Sequence, residues 1–298
     1  MDRRKFLLTG SIGAVGLTLN ARHTFGQARK VSVRKAVKFG MVEAPDLTIA
    51  GKFQLLKDLG YDGVEMESPN DLDRDEVIAA RDSVGLPIHG VVDSVHWEKT
   101  LSDPDPAVRK AGVDGLKTAI QDSHAYGGST VLLVPAVVNK QVSYADAYSR
   151  SQMEVRKVLP MATEYGIKIA FENVWNRFLL SPLECARYVD EFESDHVGWY
   201  FDVGNVVTYG WPEHWIRILG SRILKLDIKE YSRAKGESEG PFAGFEVPLG
   251  EGDCDWTSVY EALTEIGFEG WATAEVPGGD RARLEELARR MNRVLRIQ

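Results

Sequence analysis

The feature that most constrains the fold is an alternation. After residue 35, short apolar runs and longer amphipathic stretches succeed one another eight times. The apolar runs are expected as strands centred on Lys38–Glu43, Gly63–Glu67, Pro87–Val92, Thr130–Val134, Lys168–Asn173, Trp199–Val203, Ile223–Lys229 and Trp271–Val276. Between them, helical periodicity covers Thr48–Leu59, Arg74–Val84, Ala107–Tyr126, Tyr144–Tyr165 and Pro182–Phe192. Asp46 and Ser181-Pro182 read as helix starts, and Gly60, Gly85, Gly166 and Gly267 as helix ends. Strands that alternate with helices imply a parallel sheet joined by crossovers. Eight such units in roughly 260 residues fit a closed α/β (β/α)8 barrel (a TIM barrel) of one domain better than an open sheet. No Gly-x-Gly-x-x-Gly turn follows the first strand, so the main argument for a dinucleotide fold is missing.

The beginning of the chain reads differently. Residues 1–28 resemble a twin-arginine export signal: Arg3-Arg4 precede a weakly apolar stretch, Leu7 to Leu19, and small residues close it at Gly26-Gln27-Ala28. That stretch is shorter than the ~20 residues a bilayer span needs. Residues 29–35 are then expected as a linker and 36–298 as the barrel, a periplasmic or otherwise exported enzyme with no stable membrane insertion once the signal is cleaved. The net charge of −8 disfavours a nucleic-acid partner, whose phosphates need a basic surface. Cys185 and Cys254 have no metal-type spacing and are expected as small buried side chains.

Period-two alternation tells which strand residues face the barrel axis. With Ile167, Ile169 and Phe171 outward, Glu172 points in; with Phe201 outward, Asp202 points in. With Leu224, Leu226 and Ile228 outward, Lys225, Asp227 and Lys229 share the inner face, and Glu275 is inward at the end of the eighth strand. All four acids lie near the C-terminal strand ends, where barrel enzymes place their chemistry. Any single acid is more often paired with a neighbouring Lys or Arg. Four unpaired carboxylates converging on one mouth would repel, and a divalent cation resolves that repulsion. Hard oxygen donors suit Mn2+ or Mg2+, and the lysines on the same face, Lys225 and Lys229, are placed to offset the surplus charge.

The segments Phe171-Glu172-Asn173, Phe201-Asp202-Val203-Gly204-Asn205, Ile223 to Glu230, Pro248-Leu249-Gly250-Glu251-Gly252-Asp253 and Ala274-Glu275 resemble the xylose-isomerase-like barrels, among them the ketose 3-epimerases. The resemblance runs over about residues 36–297. It implies a metal held by Glu172, Asp202, the seventh-strand residue and Glu275. In the ketose epimerases that seventh-strand residue is His; here the run reads Asp227-Ile228-Lys229-Glu230, so Asp227 stands as the fourth ligand. The His that often follows three residues after the sixth-strand Asp is Asn205 here. The resemblance also implies proton abstraction next to the carbonyl of a keto sugar through a metal-stabilised enediolate, with Glu172 and Glu275 as the acid and base.

Further residues are candidates for lining the sugar pocket. His89, taken as ending the third strand, is preferred over His96, which has Trp97 beside it. Glu43, Glu65 and Glu67 end strands one and two; Trp175 and Trp211 follow strands five and six. With Lys229 and Asn205, the substrate-binding set is His89, Trp175, Glu43, Asn205 and Lys229. Ser232–Gly252 exceeds a usual strand–helix loop and reads as a lid or a surface insertion. Three functions follow: an isomerase or epimerase of a small-molecule sugar, a lyase or hydratase acting on a 3-keto-glucoside or its 2-hydroxyglycal product, and a non-catalytic periplasmic sugar binder. The sequence is compatible with a homo-oligomer, and it leaves open which sugar is used.

Overall fold

The computed structural model describes residues 31–297. The export-signal reading on residues 1–28 lies outside them. Eight parallel strands close into a barrel in chain order: β1 Ser32–Lys38, β2 Gly63–Ser68, β3 Ile88–Asp93, β4 Thr130–Leu133, β5 Lys168–Glu172, β6 Val197–Asp202, β7 Ile223–Ile228 and β8 Glu269–Ala274. Ten helices fill the connections: α1 Ile49–Asp58, α2 Arg74–Val84, α3 Pro106–Ala125, α4 Tyr144–Arg156, α5 Leu159–Tyr165, α6 Pro182–Asp190, α7 Pro212–Leu219, α8 Arg233–Glu239, α9 Trp256–Ile266 and α10 Arg281–Leu295.

The local reasons for these elements are in the sequence. Side chains of Asp73, Asp105, Ser143, Ser181, Asp255 and Asp280 accept hydrogen bonds from the first free amides of their helices. Helix α1 begins at Ile49, three residues beyond Asp46, and is capped instead by Thr48. Gly85, Gly166 and Gly267 end α2, α5 and α9 in the left-handed conformation, where a Cβ would be strained. The helix expected over Tyr144–Tyr165 is two helices, because Pro160 cannot continue α4 and instead opens α5.

The first strand required a larger correction. It runs Ser32–Lys38, not Lys38–Glu43, and pairs with β8 from Ser32↔Glu269 onward. Residues 32–35, expected as linker, are therefore part of the barrel. Three of the seven residues of β1 are basic (Arg34, Lys35 and Lys38), which hides its apolar alternation. Arg34 spends its charge over the Trp271 ring, 4.1 Å from the centroid, and Lys35 donates to Asn292 Oδ1 at 2.7 Å.

The outward faces of the strands, including Val64, Val91, Ile169, Phe171, Phe201 and Leu226, join the helices in the main apolar core. A smaller cluster of Leu132, Ala170 and Tyr200 fills the barrel axis. Leu224 packs against that inner cluster, contrary to its expected outward orientation. The cause is a register shift: Trp199 pairs with Ile223 but Tyr200 with Lys225, so Leu224 is an extra residue in its strand. A matching shift pairs Val64 with Ile88 and Glu65 with Gly90, leaving His89 extra. Both Cys185 and Cys254 are buried and free. No helix among the described residues is long and apolar enough to cross a membrane.

At the top of β3, Asp93 is buried, accepts one hydrogen bond from the Val95 amide at 3.2 Å, and has its carboxyl pushed up to about 7 by burial. Its folded value lies above its unfolded one, so the folded state binds the extra proton and stability falls as pH rises from about 4 to about 7. An Asp93→Asn chain keeps the shape without the charge. Its melting temperature should exceed the parent's at pH 8 and match it near pH 4; an equal difference at both pH values would contradict this.

Candidate metal centre

Glu172 ends β5, Asp202 ends β6, Asp227 is the penultimate residue of β7, and Glu275 directly follows β8. Each offers one carboxylate oxygen to a group whose members all lie within 4.8 Å of one another. Glu172, Asp202 and Asp227 are buried; Glu275 is half-buried. Two buried oxygens, Glu172 Oε1 and Asp227 Oδ1, have neither a hydrogen-bond nor an ion-pair partner, and Asp202 Oδ2 and Glu275 Oε2 are met only by the Lys229 ammonium. Leaving such a group unsatisfied is costly. Four carboxylates gathered this closely fit a hard divalent cation; opposite oxygens on Mg2+ stand about 4.2 Å apart at its usual bond length, so the group needs to contract only slightly.

Two lysines hold the acids apart. Lys38 Nζ lies 3.1 Å from Asp227 Oδ2 and 2.9 Å from Glu275 Oε1. Lys229 Nζ lies 3.0 Å from Asp202 Oδ2 and 2.7 Å from Glu275 Oε2. Four carboxylates, two ammoniums and one divalent cation sum to zero charge. Lys38 was missed in the sequence because β1 was placed too late; a strand ending at Lys38 would have put it on the inner face with Arg34 and Ala36.

The electrostatics divide the acids. Burial, reinforced by Glu275 and Asp227, raises the Glu172 carboxyl well above its usual range. Burial likewise raises Asp227, although Lys38 is beside it, because Glu275, Glu65 and Asp202 add repulsion. Asp202 is pushed up to about 6 by burial, with Lys229 opposing. Burial also acts on Glu275, but Lys38 and Lys229 outweigh it and hold that carboxyl well below the usual value. Glu275 is the one carboxyl of the four held down, and Glu172, Asp202 and Asp227 are all pushed up.

Asn173 braces the group: its Oδ1 accepts from the Asp202 amide and from Trp199 Nε1, both at 3.0 Å. The Asn205 amide donates to Asp202 Oδ1 at 2.7 Å, and Asn205 Oδ1 accepts from Lys229 Nζ at 3.4 Å. Glu230 is buried and accepts four hydrogen bonds, from Tyr231 N, Gly250 N, Cys254 N and Trp256 Nε1. It ties the β7 end to the following loop.

The acids open into a pocket of about 800 Å3 whose wall includes Lys38, Glu67, His96, Trp97, Trp175, Asn205, Lys229, Phe242 and Phe245. Several expected positions differ. His89 is the second residue of β3, not its end, and lies beneath the site. It stacks on Trp271 at 4.6 Å, and its Nε2 is 3.1 Å from Thr273 Oγ1. Lys225 is also below, 2.8 Å from His89 Nδ1, where burial lowers its ammonium to about 7; Lys38 occupies the role expected of it. His96 lines the pocket instead, with Nδ1 facing the Val134 amide at 3.3 Å and burial lowering it to about 3. Glu43 is exposed and outside the lining, as is Trp211, which sits under Arg233. Glu65 is enclosed in the barrel, accepting from Tyr200 OH at 3.0 Å. The Ser232–Gly252 stretch is structured, containing α8 and a 3-10 turn, Pro241–Phe245.

Residues 53–297 match the family model described as xylose isomerase-like TIM barrel. A putative L-ribulose-5-phosphate 3-epimerase of Escherichia coli (strain K12), SgbU, is 26% identical over 243 residues, 76% of this chain and 83% of that protein. An uncharacterized protein of Methanocaldococcus jannaschii is 26% identical over 188 residues, 59% of this chain; the match spans only 61% of that relative's length. Among solved structures, that of an L-ribulose 3-epimerase superposes with TM-score 0.72 at 17% identity, covering 89% of this chain and 95% of that one. A 3-keto-D-glucoside 4-epimerase from E. coli gives 0.71 at 14%, covering 88% and 99%. At these identities the structural likeness speaks to the fold.

Proposed function

This chain belongs to the xylose isomerase-like TIM-barrel family, and we propose that it is a metal-dependent sugar isomerase or epimerase moving a proton next to the carbonyl of a keto sugar. The observation that carries the reading is the gathering of four carboxylates at the C-terminal strand ends, one oxygen of each within 4.8 Å of the others and two of their buried oxygens unpartnered. The epimerase relatives support the same class. Glu172, Asp202, Asp227 and Glu275 would hold Mn2+ or Mg2+, which when bound polarises the carbonyl and offsets the charge of the enediolate. Glu172 and Glu275 would serve as the two proton carriers, one taking the proton from the carbon beside the carbonyl and the other returning it. Lys38 and Lys229 keep Glu275 ionised. Asn205 and Lys229 line the pocket beside it, where a sugar hydroxyl would find donors and acceptors.

Incubating the Mn2+-loaded protein with a panel of ketoses in D2O tests this reading. Deuterium should enter at a carbon flanking the carbonyl, and a panel with no exchange removes the isomerase reading. The replacement of the related enzymes' His by Asp227 favours a second reading, elimination from a 3-keto-glucoside or hydration of its product. An ultraviolet-absorbing enone formed from a 3-keto-glucoside would establish it. If the export-signal reading of residues 1–28 holds, either activity would lie in the periplasm or outside the cell.

Metal affinity should rise with pH. Glu172, Asp202 and Asp227 carry raised carboxyls, so a cation must displace protons to bind. Calorimetric Mn2+ titrations at pH 5.5 and 8 should show tighter binding at pH 8, with protons released to the buffer. Equal affinity without proton release would argue against these ligands.

A further inference from the structure

The pocket above the acids is larger than one sugar ring requires. At about 800 Å3 it lies in the upper part of the ~300–1,000 Å3 range that encloses drug-sized ligands. Its wall is divided by chemistry. The floor is charged, whereas one side is aromatic: the Trp175 ring lies 4.8 Å from Phe245 and 5.2 Å from Phe242, both tilted against it. Phe242 is 74% exposed at the rim. The segment presenting these rings is built, not loose. Tyr231 OH donates to the Pro241 carbonyl at 3.0 Å and the Ser232 amide to the Gly244 carbonyl at 2.8 Å. A Cβ at Gly244 would stand 2.4 Å from the Tyr231 ring, so the turn closes only with glycine there.

Charge narrows the ligand further. Among the described residues lining the pocket, the cations are Lys38 and Lys229, and both are committed to the carboxylates beneath them. The remaining titratable wall is Glu67, Asp93 and His96, the last kept neutral by burial. A phosphate dianion entering here would meet acids and find no uncommitted cation to bind it.

We infer that the site takes an unphosphorylated glycoside, its sugar ring over the carboxylates and a second ring on the sugar packed against Trp175, Phe242 and Phe245. The inference rests on the sugar-handling reading above and adds the substrate class.

Calorimetry on the full Mn2+-loaded chain, using the probes methyl β-glucoside, phenyl β-glucoside and glucose 6-phosphate, tests it. The phenyl glycoside should bind roughly fivefold to tenfold more tightly than the methyl one, the gain expected of one aromatic contact. That gain, taken as the ratio of phenyl to methyl glucoside affinity within each variant, should shrink in Phe242→Ser, which changes an exposed rim side chain, and in Phe245→Ser. Glucose 6-phosphate should bind more weakly than methyl glucoside. Equal affinity for the phenyl and methyl compounds overturns the proposal, as does a phenyl gain that survives both substitutions, or phosphate binding as tight as methyl glucoside. Loss of this selectivity with deuterium exchange on ketoses retained would remove the glycoside inference alone. Selectivity without exchange or elimination on any keto sugar would remove the catalytic reading and leave the glycoside pocket standing.

Discussion

A Glu172→Gln enzyme is expected to lose about 10²- to 10⁴-fold in turnover, the usual worth of a positioned proton carrier. Glutamine keeps one oxygen toward the cation but cannot gain or lose a proton. Metal binding should therefore weaken less than turnover does. The comparison with Glu275→Gln sharpens the assignment. That change removes the ionised carboxylate on which Lys38 and Lys229 both converge, so it should depress turnover as strongly. Measured by solvent exchange at saturating Mn2+, a Glu172→Gln rate within about tenfold of the parent would remove Glu172 from the chemistry.

Lys38→Met should be the most destabilising single change at the site. The lysine side chain is 11% exposed and pairs with Asp227, which is fully buried, and with Glu275. Removing one partner of a buried pair leaves charge uncompensated and costs about 3–5 kcal/mol. Urea midpoints of the metal-free protein at neutral pH should show that loss. The deficit should narrow as pH falls, because protonating Asp227 and Glu275 removes the uncompensated charge. Mn2+ should restore more stability to the variant than to the parent, since the cation supplies the missing positive charge. A loss under about 1 kcal/mol, or no extra rescue by metal, would show that Lys38 does not compensate the acids.

Much of the site was legible before the fold. In β5, β6, β7 and the end of β8, apolar residues alternate with the acids, and alternation within one strand is a local property of the pleat. It placed Glu172, Asp202, Asp227 and Glu275 on the inner face without knowledge of any neighbour. The same logic failed for β1, where basic residues replaced the apolar signal, and so Lys38 was overlooked and Glu43 promoted. His89 and His96 exchanged roles for another reason. The sequence cannot tell whether a histidine stands at the start or beyond the end of its strand, and His89 belongs to a bulge created by pairing with β2.

What the sequence determined by itself is the barrel, its one cluster of inward acids and the strands that carry them, because helical and strand periods are written residue by residue. What only the tertiary structure decided is which cations meet those acids and which rings wall the pocket. Lys38 reaches Asp227 across 189 positions of chain, and Phe242 and Phe245 reach Trp175 only after the β7–α9 connection folds onto the barrel mouth. Those contacts depend on barrel closure and strand register, which are set by pairing between distant segments and leave no local trace in either partner.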